Sequence, residues 1–397
     1  MKKVSVPSLM LLIILVAFPQ ISETIYTPSL PDISKALNVS SNATQLTLSI
    51  YFAGFALGVF CWGWLSDIIG RRPAMLWGIV TYGVGSLLCY MANSIELLLI
   101  SRFLQAFGAS TGSVVTQTIL RESVDGHKRH VMFAQISAVI AFTPAVGPLV
   151  GGWVDQAFGF KAVFFTLVVM SIGIFLYAYT ALPETKTSST TNKISIFLVL
   201  KRFITDSKII AFGLLIGGTN GILFSYYAEA PFIFIEYFKM SPGLYGFLGI
   251  VVALSSIIGA NLSKRLLAVY IPEKIIYIGC LVMIAGATLL SVIVLTGTNP
   301  TVFYAVVILV AIFLLLLGIG IALPNCLSLA LVNFQDVVGT AGALFSLGYY
   351  LLVTLIIWGM SQLHTGSLII MPLYFLLLVV IMGITSRMFI YRAKWKF

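Results

Sequence analysis

Glu23 and Glu229 stand near the ends of the first and seventh apolar segments of this chain, and Arg102 stands early in the fourth. A charged side chain at the centre of a membrane helix costs about 2.5–3.5 kcal/mol on insertion scales, so each needs a partner or an aqueous cavity. A carboxylate in a dry site gives up and takes back a proton near neutral pH, which suits it to exchanging a proton for a cationic compound. The bland alternative for both glutamates is a solvated, ionised position in an outer mouth. For Arg102 the alternative is snorkelling to the surface. His127, His130 and His364 fall in predicted loops, and no His/Cys/Asp/Glu cluster has metal-ligand spacing. No Gly-x-Ser-x-Gly elbow or nucleotide-binding loop is present, so neither an enzyme nor a cofactor is expected.

The elements that must position these groups follow from composition. Hydrophobic residues make up 59% of the chain and charged residues 9%, with a mean hydropathy of +1.05. A soluble domain carries about 25% charged residues, so a water-soluble fold is excluded. Apolar runs near 7–28, 44–66, 74–93, 97–120, 131–154, 160–182, 208–236, 243–263, 274–296, 302–325, 338–361 and 367–390 predict an all-α membrane protein of twelve transmembrane helices. Many runs are apolar on all faces, and the alternation of a membrane barrel is absent. Cys61, Cys89, Cys280 and Cys326 lie within spans and read as reduced, buried thiols.

Of the 23 Lys and Arg, all but Lys35, Arg102, Lys161 and Lys239 fall in segments on the side of the N-terminus. Basic loops stay inside, so both termini are predicted to be cytoplasmic. The net charge of +10 is this bias and the adjoining anionic lipid surface, so it is weak evidence for nucleic acid binding, and no nucleic-acid partner is expected. Lys2 and Lys3 before an apolar run could suggest a signal peptide, but no small-x-small site follows, and a retained first helix is expected.

A polar stretch divides the spans six and six, predicting an N-terminal bundle over 1–183, a cytoplasmic linker over 184–207 and a C-terminal bundle over 208–397. Two six-helix pseudo-repeats account for that division. A weak internal echo agrees: Glu23-Thr24-Ile25-Tyr26-Thr27-Pro28 is matched by Tyr226-Tyr227-Ala228-Glu229-Ala230-Pro231.

Gly63-Trp64-Leu65-Ser66-Asp67-Ile68-Ile69-Gly70-Arg71-Arg72 places a carboxylate and two guanidiniums in a tight turn between the second and third spans. This G-x-L-S-D-x-x-G-R-R pattern resembles the signature loop of the major facilitator superfamily of transporters. The resemblance implies that Gly63, Asp67, Gly70, Arg71 and Arg72 gate alternating access without touching substrate. The R-x-x-Q-x-x-G spacing of Arg102, Gln105 and Gly108 resembles the superfamily's fourth-helix motif, whose Arg is linked to proton coupling. Pro144-Ala145-Val146-Gly147-Pro148-Leu149-Val150-Gly151-Gly152 resembles the fifth-helix motif of drug/proton antiporters, which assigns Gly147, Pro148, Gly151 and Gly152 to gating.

That fifth-helix form, the run Tyr26-Thr27-Pro28-Ser29-Leu30-Pro31 and the pair Arg121-Glu122 together resemble the Bcr/CflA branch of drug-resistance transporters. One departure stands out. The branch usually carries an Asp two residues before the Tyr; here Thr24 holds that position and the carboxylate is Glu23, about 100° away around a helix. By resemblance Glu23, Arg102 and Glu229 are the proton-coupling candidates. Tyr26, Tyr51, Phe55, Gln105, Gln135, Asn220, Tyr226, Tyr227, Asn325 and Tyr349 are candidates for a substrate cavity. Each aromatic also reads as packing, and Asn220 and Asn325 also read as interhelical hydrogen-bonding groups. The expected function is proton-coupled export of small amphipathic compounds, multidrug efflux through a bacterial inner membrane by a monomer. The alternative is an importer or dedicated carrier of a specific metabolite, such as a siderophore or a carboxylate that Arg102 would meet.

Overall fold

A computed structural model describes residues 7–123, 141–186, 196–297 and 300–391, together with positions 132, 135, 136 and 139. Among these residues the regular structure is helical, and eleven helices are long and apolar enough to cross a membrane. They correspond to every predicted span except the fifth. Much of 131–154 lies outside the described residues, and its described part is the helix Thr143–Phe158.

The chain separates into two compact units. The first holds α1 (Leu9–Thr24), α2 (Leu30–Leu37), α3 (Ser41–Ile69), α4 (Arg71–Met91), α5 (Ile95–Ser123), α6 (Thr143–Phe158) and α7 (Phe160–Ala181). Continuing along the chain, α8 is Ile196–Thr205, α9 is Ser207–Pro231 and α10 is the short Pro242–Gly246, which also belongs to the first unit. The second unit holds α8, α9, most of α11 (Leu248–Leu266), α12 (Pro272–Thr296), α13 (Val302–Leu329), α14 (Val338–Leu363) and α15 (Ile370–Thr385).

The sequence places the end of the first helix at 28, whereas helical structure continues through the turn Thr27–Ser29 into α2. Pro28 and Pro31 explain the difference: each sits at the start of a helical piece, where its missing N–H is not needed and its fixed φ is suitable. The chain therefore bends without unwinding. Capping follows local chemistry elsewhere. Ser8, Ser40 and Thr301 accept from the first turns of α1, α3 and α13, and the Asp206 carboxylate accepts from Lys208 N and Ile209 N at the start of α9.

Glycine sets how closely the helices of the first unit approach. A Cβ on Gly85 of α4 would overlap the backbone of Gln105, and one on Gly108 of α5 would overlap that of Tyr82. These reciprocal notches bring α4 and α5 into backbone contact, as small residues do between membrane helices. Arg102 and Gln105 are thereby held against Tyr82 and Ser86.

Candidate functional site

The α3–α4 turn is a network centred on Arg71, whose side chain is 5% exposed. Its Nε donates to Glu122 Oε2 at 2.9 Å and its Nη2 to Glu122 Oε1 at 2.6 Å, a bidentate pair with the end of α5. Its Nη1 donates to Asp67 Oδ1 at 2.6 Å and to Ser66 Oγ at 2.8 Å. Glu184, just beyond α7, caps the start of α4: Arg71 N donates to Oε1 at 2.9 Å and Arg72 N to Oε2 at 3.2 Å. A carboxylate on the first N–H groups of a helix meets both orphan donors and the positive end of the helix dipole. Gly70 makes this possible, with φ of 103° in a region that favours glycine. Arg72 donates to Tyr179 O at 2.7 Å and lies over the Tyr179 ring. Thus the signature turn binds α3, α4, α5 and the segment after α7 into one block. Gly63 stands in α3, where an added Cβ would make only ordinary contact with Val114.

The second constellation lies inside the first unit. Arg102 is fully buried, with its guanidinium 3.9 Å from the centre of the Tyr26 ring and 4.2 Å from that of Tyr51. Two aromatic faces thus bracket one cation, each worth about 0.5–2 kcal/mol. Arg102 Nη1 donates to Gln105 Oε1, whose amide in turn donates to Ser86 Oγ at 2.8 Å. Tyr26 and Tyr51 are themselves pinned: the Tyr26 and Thr47 hydroxyls are 3.1 Å apart, and Tyr51 donates to Pro19 O at 3.3 Å. Phe55 stacks on Tyr51. Among the described residues Arg102 Nε and Nη2 have no hydrogen-bond partner.

Glu23 is half-buried, and Arg102 is the charge that acts on it; the carboxylate in turn acts on Tyr51. The one-residue displacement from the branch pattern now has a geometric meaning. Position 24 faces α6, where a Cβ on Gly147 would overlap Thr24 Oγ1, while Glu23 lies within the electrostatic reach of Arg102.

The fifth-helix glycines have two faces. Gly147 and Gly151, one turn apart, meet the end of α1, where a Cβ on Gly151 would overlap Ile25 O. Gly152 meets Pro242 O, and a Cβ on Gly246 would stand 2.6 Å from Pro148 O. Gln156 Oε1 also accepts from Gly243 N at 3.0 Å. The motif therefore presses α6 between the first-helix corner and α10.

Glu229, in the second unit, accepts from or shares a proton with His364 Nδ1, which is 2.9 Å from each of its carboxylate oxygens. Both side chains are largely buried, and the Phe232 ring packs on the imidazole. His364 does fall in the loop after α14, yet sequence reasoning gave it no part beside Glu229. The remaining cavity candidates make the following contacts. Asn325 donates to Ser263 Oγ at 2.7 Å and to Ile321 O at 3.0 Å, a bond between α13 and α11. Asn220 donates to Ile216 O of its own helix at 2.8 Å. Tyr226 and Tyr227 are buried against each other, Tyr349 packs on Phe345 and Tyr350, and Gln135 is exposed. His127 and His130 lie outside the described residues. Among the described residues no group of three His, Cys, Asp or Glu could hold a metal.

The block at the α3–α4 turn and the bracketed Arg102 belong to a helical membrane transporter. The sequence model of the Major Facilitator Superfamily matches residues 12–357, and the chain belongs to that superfamily. It is a transporter of small molecules embedded in a membrane, and not an enzyme. A transporter of Rickettsia bellii is 35% identical over 385 residues, covering 94% of each chain. A chloramphenicol resistance protein of Pseudomonas aeruginosa is 28% identical over 332 residues, covering 82% of this chain and 77% of its own. The crystal structure of a D-xylose–proton symporter superposes with a TM-score of 0.75 at 16% identity, covering 94% of this chain and 96% of its own; at that identity the likeness is one of fold.

Proposed function

We propose that this chain exports small amphipathic compounds in exchange for protons, as a drug/proton antiporter of the Bcr/CflA type. In this reading it works as a monomer in a bacterial inner membrane with both termini cytoplasmic. It is built of bundles over 1–183 and 208–397, joined by a linker over 184–207, and works by alternating access. The observation that carries the reading is the Arg102 guanidinium, sealed between the Tyr26 and Tyr51 rings within electrostatic reach of the half-buried Glu23.

Arg102 is fully buried and Glu23 half-buried, so in this reading the carboxylate is the group that meets substrate. When Glu23 is ionised it attracts a cationic or hydrogen-bonding compound; when a proton arrives, that attraction ends and the compound leaves. The similarity to a chloramphenicol resistance protein supports export. Tyr26, Tyr51 and Phe55 supply aromatic surface close to Glu23, and Glu229 with His364 is a second acid in the other unit. The α3–α4 turn and the α6 glycines serve as gates. A dedicated carrier for an anionic metabolite is the second reading, favoured by the two unpartnered guanidinium nitrogens of Arg102.

Proteoliposomes with an imposed pH gradient test this reading. With an acidic interior and the protein's cytoplasmic face outward, a fluorescent lipophilic cation is expected to accumulate inside, and collapsing the gradient with an uncoupler should release it. Accumulation of an anionic metabolite with no response to any cation or neutral drug would establish the second reading instead.

A further inference from the structure

The end of α6 carries a carboxylate that the mechanism above leaves unused. Asp155 is 3% exposed, and neither of its carboxyl oxygens has a hydrogen-bond partner. Facing it is the corner between α1 and α2. There the fully buried Ser29 hydroxyl lies beside the carboxyl, placed to donate to it. The charge that acts on Asp155 is Asp32, of the same sign, one turn further along the corner. The neighbouring elements bring few other titratable groups: α2 adds Lys35, α1 adds Glu23, α7 adds Lys161, whose Nζ donates to Asn93 Oδ1 at 2.8 Å, and α10 adds Tyr245.

An ionised carboxylate here would be stripped of water and faced by a second acid, an arrangement that disfavours the charged form. Protonation removes the charge, and with it both the cost of keeping an ion from water and the repulsion from Asp32. The position adds a consequence. Gly147 and Gly151 already press the same two elements together along α6, and Asp155 comes one turn after Gly151 on the same helix. Its charge state therefore decides whether the end of that seam stays packed or is opened by hydration of an ion and repulsion from Asp32.

We propose that Asp155, with Ser29 and Asp32, forms a second proton-binding site, separate from Glu23, whose occupancy closes α6 onto the first-helix corner. The proton comes from the aqueous phase at that end of the unit and returns to it; only an O–H bond forms and breaks. The proposal rests on the packing of this unit and is independent of substrate and of transport direction.

Carbodiimide labelling of the purified protein in detergent tests it, because the reagent modifies protonated carboxyls in apolar surroundings. Peptide mass spectrometry on a Glu23→Gln background separates Asp155 from the coupling acid. Labelling of the peptide containing Asp155 is expected to be at least about tenfold greater near pH 5 than near pH 9, as for a carboxyl losing its proton across that range. Replacing sodium by choline should change nothing. Absence of labelling at acid pH, or protection by sodium, would overturn the proposal, the latter pointing to a bound metal cation. Asp155→Asn, a permanently neutral shape mimic, should melt at nearly the same temperature at both pH values, whereas the wild type melts lower at the alkaline one. An Asn variant showing the same pH difference as the wild type would also overturn it.

Discussion

Arg102→Ala is expected to abolish gradient-driven transport while the protein still folds. The substitution removes the cation from between the Tyr26 and Tyr51 rings and leaves the Glu23 carboxylate without the charge that acts on it. A unit charge a few ångströms away at an effective dielectric near 20 is worth about 2–4 kcal/mol. That corresponds to about thirtyfold or more in any equilibrium that depends on the charge. Accumulation in proteoliposomes should fall by at least that factor. Arg102→Lys should recover only part of it, because an ammonium lacks the planar face and the fork that reaches Gln105. Glu23→Gln combined with Arg102→Ala should be no worse than either change alone, as expected of one coupled unit. If Arg102→Ala retained full accumulation, Arg102 would be a packing residue and the alternative reading of its burial would hold.

The second large effect is expected at Gly151. Even the single methyl of Gly151→Ala would overlap Ile25 O, a backbone atom at the end of α1 that cannot turn aside as a side chain can. Overpacking of this kind costs about 1–3 kcal/mol, and here it must part α6 from the corner that carries Glu23 and Tyr26. Transport should drop more than tenfold, and the melting temperature should fall. Gly173→Ala on α7 is the matched control: a Cβ there meets nothing within 4 Å, so both readouts should stay at the wild-type level. Equal behaviour of the two variants would remove the basis for treating the α6 glycines as a required close seam.

Some of this was readable from the chain alone because the responsible groups lie close together in sequence. Asp67 and Arg71 are separated by one helical turn, and they do pair. Their larger context was not readable. Glu122 lies 51 residues from Arg71 and Glu184 lies 113 residues from it, and no periodicity signals such a meeting. The Arg121-Glu122 pair was noticed as a resemblance, but the bidentate bond that Glu122 makes with Arg71 only emerges when α4 and α5 pack through their glycine notches.

The same limit applies to the acids. Helical geometry indicated that a shift from position 24 to 23 rotates the carboxylate, but not what each direction faces. Thr24 turned out to meet Gly147, while Glu23 meets the field of Arg102. His364 looked like one more loop residue because its partner Glu229 is 135 residues earlier. Asp155 gave no signal at all: an acid near a helix end is ordinary in sequence, and only its burial without a partner distinguishes it. Fold class, by contrast, follows from apolar run length, which is local.

The central claim is that Glu23 exchanges its proton for the substrate, and proton release from purified protein in weakly buffered detergent measures this most directly. Adding an amphipathic cation to the wild type is expected to release close to one proton per protein from Glu23, with Glu23→Gln abolishing that release and Glu229→Gln preserving it. Full release from Glu23→Gln, or none from the wild type despite measurable substrate binding, would contradict the assignment of Glu23 as the coupling acid.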